Sequence, residues 1–157
     1  MTKSDEKYLQ EAIDLAIEGV RHKGGPFGSI IVRDGKVIGR GHNQVTKNND
    51  PTAHGEIVAI RDACKKENDF MLKGATIFTS CEPCPMCLAA SYWSHIDRIV
   101  FACTRKDAAN IGFDDDFIYN EIVLPVSQRK IPTMTGLHDK GLVPFNMWRT
   151  KDDKIKY

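Results

Sequence analysis

No stretch of this 157-residue chain stays apolar for long. The longest apolar runs cover about five residues, such as 99–103, where a bilayer span needs roughly 20. A membrane-spanning protein is therefore not expected. The first ten residues, MTKSDEKYLQ, are charged and hold no apolar core, so no export signal is expected and a reducing cytoplasm is. Charge of one sign is also lacking: 22 basic residues face 21 acidic ones, for a formal net charge of +1. That balance supplies no global field for nucleic acid or an anionic membrane, so neither is an expected partner. Internal repeats and low-complexity tracts are absent. What remains is a chain 41% hydrophobic and 27% charged, the composition of one globular domain over residues 1–157.

Periodicity outlines its elements. Tyr8, Leu9, Ala12, Ile13, Ala16, Ile17 and Val20 recur at helical spacing, which predicts an amphipathic helix over about 5–21 with Ser4 as its N-cap and Gly24-Gly25 as a stop. FGSIIVR and KVIGRG flank Asp34-Gly35, a dipeptide suited to the positive φ angles of a hairpin turn. Residues 42–52 read as a loop and 53–66 as a helix. Residues 75–80 read as a short buried strand, 84–95 as a helix beginning near Pro85, and 98–104 as another strand. This order implies parallel strands with helices packed on the sheet. Further along, short helices are expected near 106–111 and 114–122, an extended piece near 131–136 and a helix near 143–150.

The five cysteines are unevenly spread, and TSCEPCPMC (79–87) holds Cys81, Cys84 and Cys87. An odd count and the absence of an export signal argue against a disulfide framework. Cys84 and Cys87 stand three apart at a helix start, which puts both thiols on one face. A redox pair would need no histidine, whereas His54-Gly55-Glu56 offers one at a second helix start, thirty residues upstream. One histidine and two cysteines make three zinc ligands and leave the fourth position to water, as in a catalytic site; Cys81 as a fourth ligand would close the site into a structural one and leave Glu56 without a task. Because His54 and Glu56 point to nearly opposite sides of a helix, they can only straddle something beneath its N-terminal end. Two helix N-termini would then aim at one metal and favour thiolates at Cys84 and Cys87. Cys64 and Cys103 read as small core residues, and His22, His42, His95 and His138 as surface or capping residues.

His-x-Glu with a later Pro-Cys-x-x-Cys is the signature of zinc nucleobase deaminases. It stands here as His54-Gly55-Glu56 and Pro83-Cys84-Pro85-Met86-Cys87. The sequence resembles the cytidine-deaminase-like superfamily and, more narrowly, the small bacterial guanine deaminases. The likeness is carried by GGPFGSIIV (24–32), NDPTAHGE (49–56), TSCEPCPMC (79–87), AASYW (89–93), GFDDDFIYNEI (112–122) and PFNMWR (144–149). Gly55 departs from it, since the family usually has alanine there. The resemblance implies a three-layer α/β/α sandwich with a mixed five-stranded sheet. It also implies one Zn²⁺ per chain on His54, Cys84 and Cys87, and hydrolysis of guanine to xanthine and ammonia by a zinc hydroxide that attacks C2. It makes Glu56 the proton shuttle, with Asp115 as a second catalytic acid that faces the guanine N–H groups and helps with protons. It places Asn43 on the purine edge, Phe27 and Trp93 as walls for a flat base, and the main-chain N–H of Cys84 on the hydrated intermediate. It further implies a homodimer in which residues 143–157 exchange and Tyr157 closes the partner's site. The alternatives left by the sequence are a tRNA adenosine deaminase, a deaminase of another base or nucleoside, and a non-catalytic zinc module.

Overall fold

The computed structural model describes residues 1–156, and these divide into two compact units, Met1–Asp116 and a second from Phe117 onward. Tyr157, expected to close a partner's site, lies outside the described residues.

The first unit begins with α1 (Lys3–Arg21). Its N-cap is Thr2 rather than Ser4, because Asp5 at the third helical position closes a capping box with Thr2. The Thr2 hydroxyl accepts from Asp5 N at 3.1 Å, and the Asp5 carboxylate accepts from Thr2 N at 2.8 Å. Strands β1 (Gly28–Arg33) and β2 (Lys36–His42) form the expected hairpin, with positive φ at both Asp34 and Gly35. The stretch expected as loop contains a one-turn helix, α2 (Val45–Asn48), ended by Asn49 in the left-handed region. Helix α3 (Gly55–Glu67), strand β3 (Thr76–Cys81), helix α4 (Pro85–Trp93) and strand β4 (Arg98–Cys103) follow as expected. A second Thr-x-x-Asp box, Thr104 with Asp107, starts α5 (Arg105–Asn110).

The sheet order is β2-β1-β3-β4, with β1 antiparallel to both neighbours and β3 parallel to β4. Alternation along the strands splits the core in two. Ile30, Val32 and Phe78 pack with Leu9 and Ala12 of α1, while Ile31 and Ile77 pack with Ala59 and Ala63 of α3. Helices on both faces give the expected three layers. Full burial of a side chain such as Ile30, Ile31 or Ile77 contributes about 1.5–3 kcal/mol. Gly39 and Gly41 let α3 lie directly on β2: a Cβ at Gly41 would stand 2.4 Å from the Gly55 carbonyl oxygen.

Among the described residues the sheet has four strands, not five. Residues 131–136 are irregular, since Pro132 lacks a ladder donor and Gly136 adds no packing side chain. Cys103 is exposed rather than core, because β4 is an edge strand. Helix α6 (Asp116–Ile122) starts on the last residue of the first unit, and the second unit continues with a 3₁₀ turn (Val126–Gln128) and then α7 (His138–Thr150). Helix α7 starts five residues before the expected position and carries Pro144 in its interior.

Candidate metal and substrate site

His54 is the N-cap of α3 and Cys84 the N-cap of α4, both with extended backbone; Pro85, at the first position of α4, fits there because no intrahelical N–H is needed. Cys87, one turn into α4, is fully buried. Its position three residues after Cys84 returns its sulfur to the same side. His54 Nδ1 lies 3.5 Å from Cys84 Sγ and 3.6 Å from Cys87 Sγ. Tetrahedral zinc with Zn–N of about 2.0–2.1 Å and Zn–S of about 2.3 Å separates its nitrogen and sulfur ligands by about 3.5–3.6 Å. The three donors therefore fit one zinc ion, with Nδ1 as the histidine ligand. Cys81, the alternative fourth ligand, is outside this group: its thiol faces the Thr104 carbonyl oxygen at 3.5 Å, and burial pushes it up to about 12.

The electrostatics suit a dication. A hydrogen bond from the Cys87 thiol, helped by His54, holds the Cys84 thiol down to about 4 despite burial. Cys87 is pushed up by that same bond and by burial. The Cys84 thiolate raises His54. Both helix starts add partial positive charge. A metal entering this site must displace the Cys87 proton, so binding releases acid. Glu56 is 5% exposed, and burial raises its carboxyl above the usual range. It is not one of the three grouped donors, but it lines the same cavity.

That cavity measures about 570 Å³ and is bounded by Phe27, Asn43, His54, Glu56, Cys84 and Asp115. Asn43 is a structural fastener as well as a wall. Its main-chain N–H donates to Phe27 O at 2.8 Å, and its Oδ1 accepts from Gly25 N at 3.4 Å and Val45 N at 3.3 Å. With Oδ1 engaged by the backbone, the amide NH₂ is the end suited to a ligand. Phe27 is anchored from the next residue, where Gly28 N donates to Ser80 Oγ at 3.0 Å. Asp115 is partly buried, and desolvation followed by the Cys84 charge raises its carboxyl. Trp93, at the end of α4, is 66% exposed and does not bound this cavity.

Glu82, Arg105 and Phe113 are among the cavity residues that the sequence pattern does not single out. Glu82 accepts from Arg105 N at 3.0 Å and so ties the start of α5 to the cysteine loop; the Arg105 guanidinium in turn lies 3.8 Å from Asp116. Phe113 meets Phe27 edge to face, with ring centroids 4.9 Å apart. The sequence signal for Phe113 is an aromatic directly after a glycine, in GFDDD.

Along 153 residues the chain is 48% identical to the guanine deaminase of Bacillus subtilis (strain 168), covering 97% of this chain and 98% of that protein. The X-ray structure of guanine deaminase from Bacillus subtilis is similar at a TM-score of 0.95 and 47% identity, covering 100% of this chain and 99% of that one. A more distant likeness, 37% over 101 residues, links it to the tRNA-specific adenosine deaminase of Aquifex aeolicus (strain VF5), covering 64% of this chain and 67% of that protein. Residues 2–103 match the cytidine and deoxycytidylate deaminase zinc-binding region. The match ends on the last residue of β4 and takes in both helix starts that bear the three donors, and the chain belongs to that zinc-binding deaminase family.

Proposed function

We propose that this protein hydrolyses guanine to xanthine and ammonia. The observation that carries the reading is the extent of the likeness to guanine deaminase. It runs through 97% of the chain, while the tRNA deaminase likeness covers 64%. The acidic segment 112–116, which supplies Asp115 to the cavity, lies beyond the matched zinc-binding region.

Zinc, held by His54, Cys84 and Cys87, would supply the charge that lowers the pKa of an attacking water to near neutral. Glu56 takes that proton while the water oxygen bonds to C2 of guanine. It then delivers that proton to ring N3 and carries the remaining hydroxyl proton to the amino group, which leaves as ammonia as the C2–N bond breaks and C2=O forms. Burial of Glu56 favours this exchange, because it lifts the carboxyl toward the working pH. The main-chain N–H of Cys84, at the start of α4, donates to the tetrahedral intermediate. Asn43 fixes the purine edge, Phe27 supports the ring, and Asp115 faces the ring N–H groups.

The same reading makes the working form a cytoplasmic homodimer. Five cysteines without a disulfide suit a reducing compartment, and no helix among the described residues is long and apolar enough to cross a membrane. Val143, Phe145 and Met147 of α7 are exposed, as are Tyr92 and Trp93 of α4, and apolar surface of this kind marks an interface. Exchange of residues 143–157 would cover it and would bring Trp93 and Tyr157 to a completed site.

The test is a panel of bases, nucleosides and a tRNA anticodon stem-loop, read as ammonia release. Guanine should be turned over fastest; preference for adenosine in the RNA would transfer the protein to the tRNA-editing branch. Removal of residues 154–157 should leave zinc content and melting temperature unchanged while lowering turnover of guanine at least tenfold, the order of one lost binding contact. A truncated protein with full activity would refute the role given to the tail.

A further inference from the structure

We propose that Phe113 contacts the substrate and forms with Phe27 an aromatic corner that holds a planar fused-ring base over the zinc ligands. This rests on the guanine reading and adds a specificity residue to it. The two rings meet at 89° with centroids 4.9 Å apart, and both bound the cavity that contains His54, Glu56 and Asp115. Two rings at a right angle present one face and one edge, so a flat base stacks on one ring and abuts the other.

The backbone fixes Phe113 in this place. Ile111 is the C-cap of helix α5, and Gly112 follows at φ +93, a conformation open to glycine and strained for other residues. Gly112 N donates to Ala109 O at 3.0 Å and Phe113 N to Ala108 O at 3.0 Å, the paired bonds of a Schellman cap. Such a cap sets an apolar residue against the helix three positions before its end. Here that residue is Phe113, and Ala108 is buried and also bounds the cavity. The ring is thus held at its root, yet it remains 46% exposed. Apolar surface turned toward a cleft and fixed before any ligand arrives is the preorganised half of a stacking contact.

The experiment compares Phe113→Ala, Phe113→Leu and Phe113→Tyr in steady-state guanine deamination, with zinc content, melting temperature and oligomeric state measured on each. Loss of one base–aromatic contact should raise KM about tenfold in Phe113→Ala with kcat within about threefold of wild type. Phe113→Leu keeps apolar packing on Ala108 but has no π face, and its KM should rise at least threefold. Phe113→Tyr should stay within about twofold. If the alanine variant does not fold, the leucine and tyrosine pair decides. Equal KM for leucine and wild type, a fall in kcat together with zinc loss, or dissociation of the assembly would each assign Phe113 a packing role and overturn the proposal. Wild-type protein inert toward guanine would instead refute the functional reading. The same KM comparison would then be run on whichever base it does deaminate.

Discussion

Gly41→Ala should damage the site from behind. A Cβ there would lie 2.4 Å from Gly55 O, 2.5 Å from Ala59 N and 2.8 Å from Val58 Cβ, whereas ordinary contact begins near 3.4 Å. Two of the three atoms are backbone of α3 and cannot swing aside. Relief needs the first turn of α3 to move off β2 by about 1 Å, or an equal displacement of the strand. Gly55 sits between His54, one of the three donors that fit zinc, and Glu56, the proposed proton carrier, so the shift passes directly to both. Zinc ligand distances tolerate only about 0.2 Å, and an error of about 1 Å at a reacting group costs on the order of a hundredfold in rate. Overpacking of this kind costs about 1–3 kcal/mol, which for a chain of this length lowers Tm by roughly 3–10 °C. The control is Gly39→Ala, whose Cβ would meet Ala59 O at 2.5 Å and Ala63 Cβ at 2.7 Å, one turn farther from the ligands. It should lose similar stability but much less activity. The assays are thermal melting, zinc per chain and kcat for ammonia release at saturating zinc. A Gly41→Ala protein that folds, holds one zinc and keeps kcat within about threefold would refute the claim that contact between α3 and β2 sets the ligand geometry.

Three more outcomes are expected. Glu56→Gln should bind zinc and fold normally while kcat falls about 10²- to 10⁴-fold, the range for loss of a general acid–base; turnover within a few-fold of wild type removes Glu56 from proton transfer. Cys87→Ser, which places a weakly ligating hydroxyl in a fully buried position, should lose its zinc on dialysis as measured by elemental analysis, and retention of one zinc per chain would break the ligand assignment. The Arg98 guanidinium, and then the main-chain N–H of Thr2, hold the buried Asp5 carboxyl well below the usual carboxylate range. A pKa depressed by folding adds stability above the unfolded value near 4, and that stability drains away as pH falls toward the folded value. Denaturant titrations should therefore show Asp5→Asn less stable than wild type at pH 7, with the gap closing below about pH 4; a gap independent of pH would mean that the Asp5 charge is not the source.

The metal site was legible in the sequence because its signal is local. Each ligand group sits at a helix start, where Pro85 and the short spacings of His54 to Glu56 and Cys84 to Cys87 are visible without any tertiary contact. The hairpin was legible for the same reason, through Asp34-Gly35. What escaped depends on partners far apart in sequence. The N-cap moved from Ser4 to Thr2 because Asp5 answers Thr2, and that same Asp5 is fixed by Arg98, 93 residues away. The exposure of Cys103 follows from β4 lying at the sheet edge, a fact of strand order that the alternation in RIVFAC does not encode. Phe113 gains meaning only when Phe27 stands 4.9 Å away.

Topology explains why such distant residues share one cavity. Strands β2, β3 and β4 run in the same direction, and β1 runs against them between β2 and β3. The register sets Gly28 opposite His42, Ser29 opposite Thr79 and Cys81 beside Cys103, so the start of β1 lies at the same edge as the ends of the other three. Phe27 precedes β1, Asn43 follows β2, and Cys84 and Arg105 follow β3 and β4 closely; all four bound the cavity. In α/β sheets the ends of parallel strands hand the chain to loops and helix starts, whose main-chain groups are still unpaired and can serve a ligand. Here the antiparallel β1 brings the beginning of its strand to that edge as well. One sheet edge thereby gathers an aromatic, an amide, a thiolate and a cation from four separate segments, and α3 completes it by delivering His54 and Glu56 across Gly41.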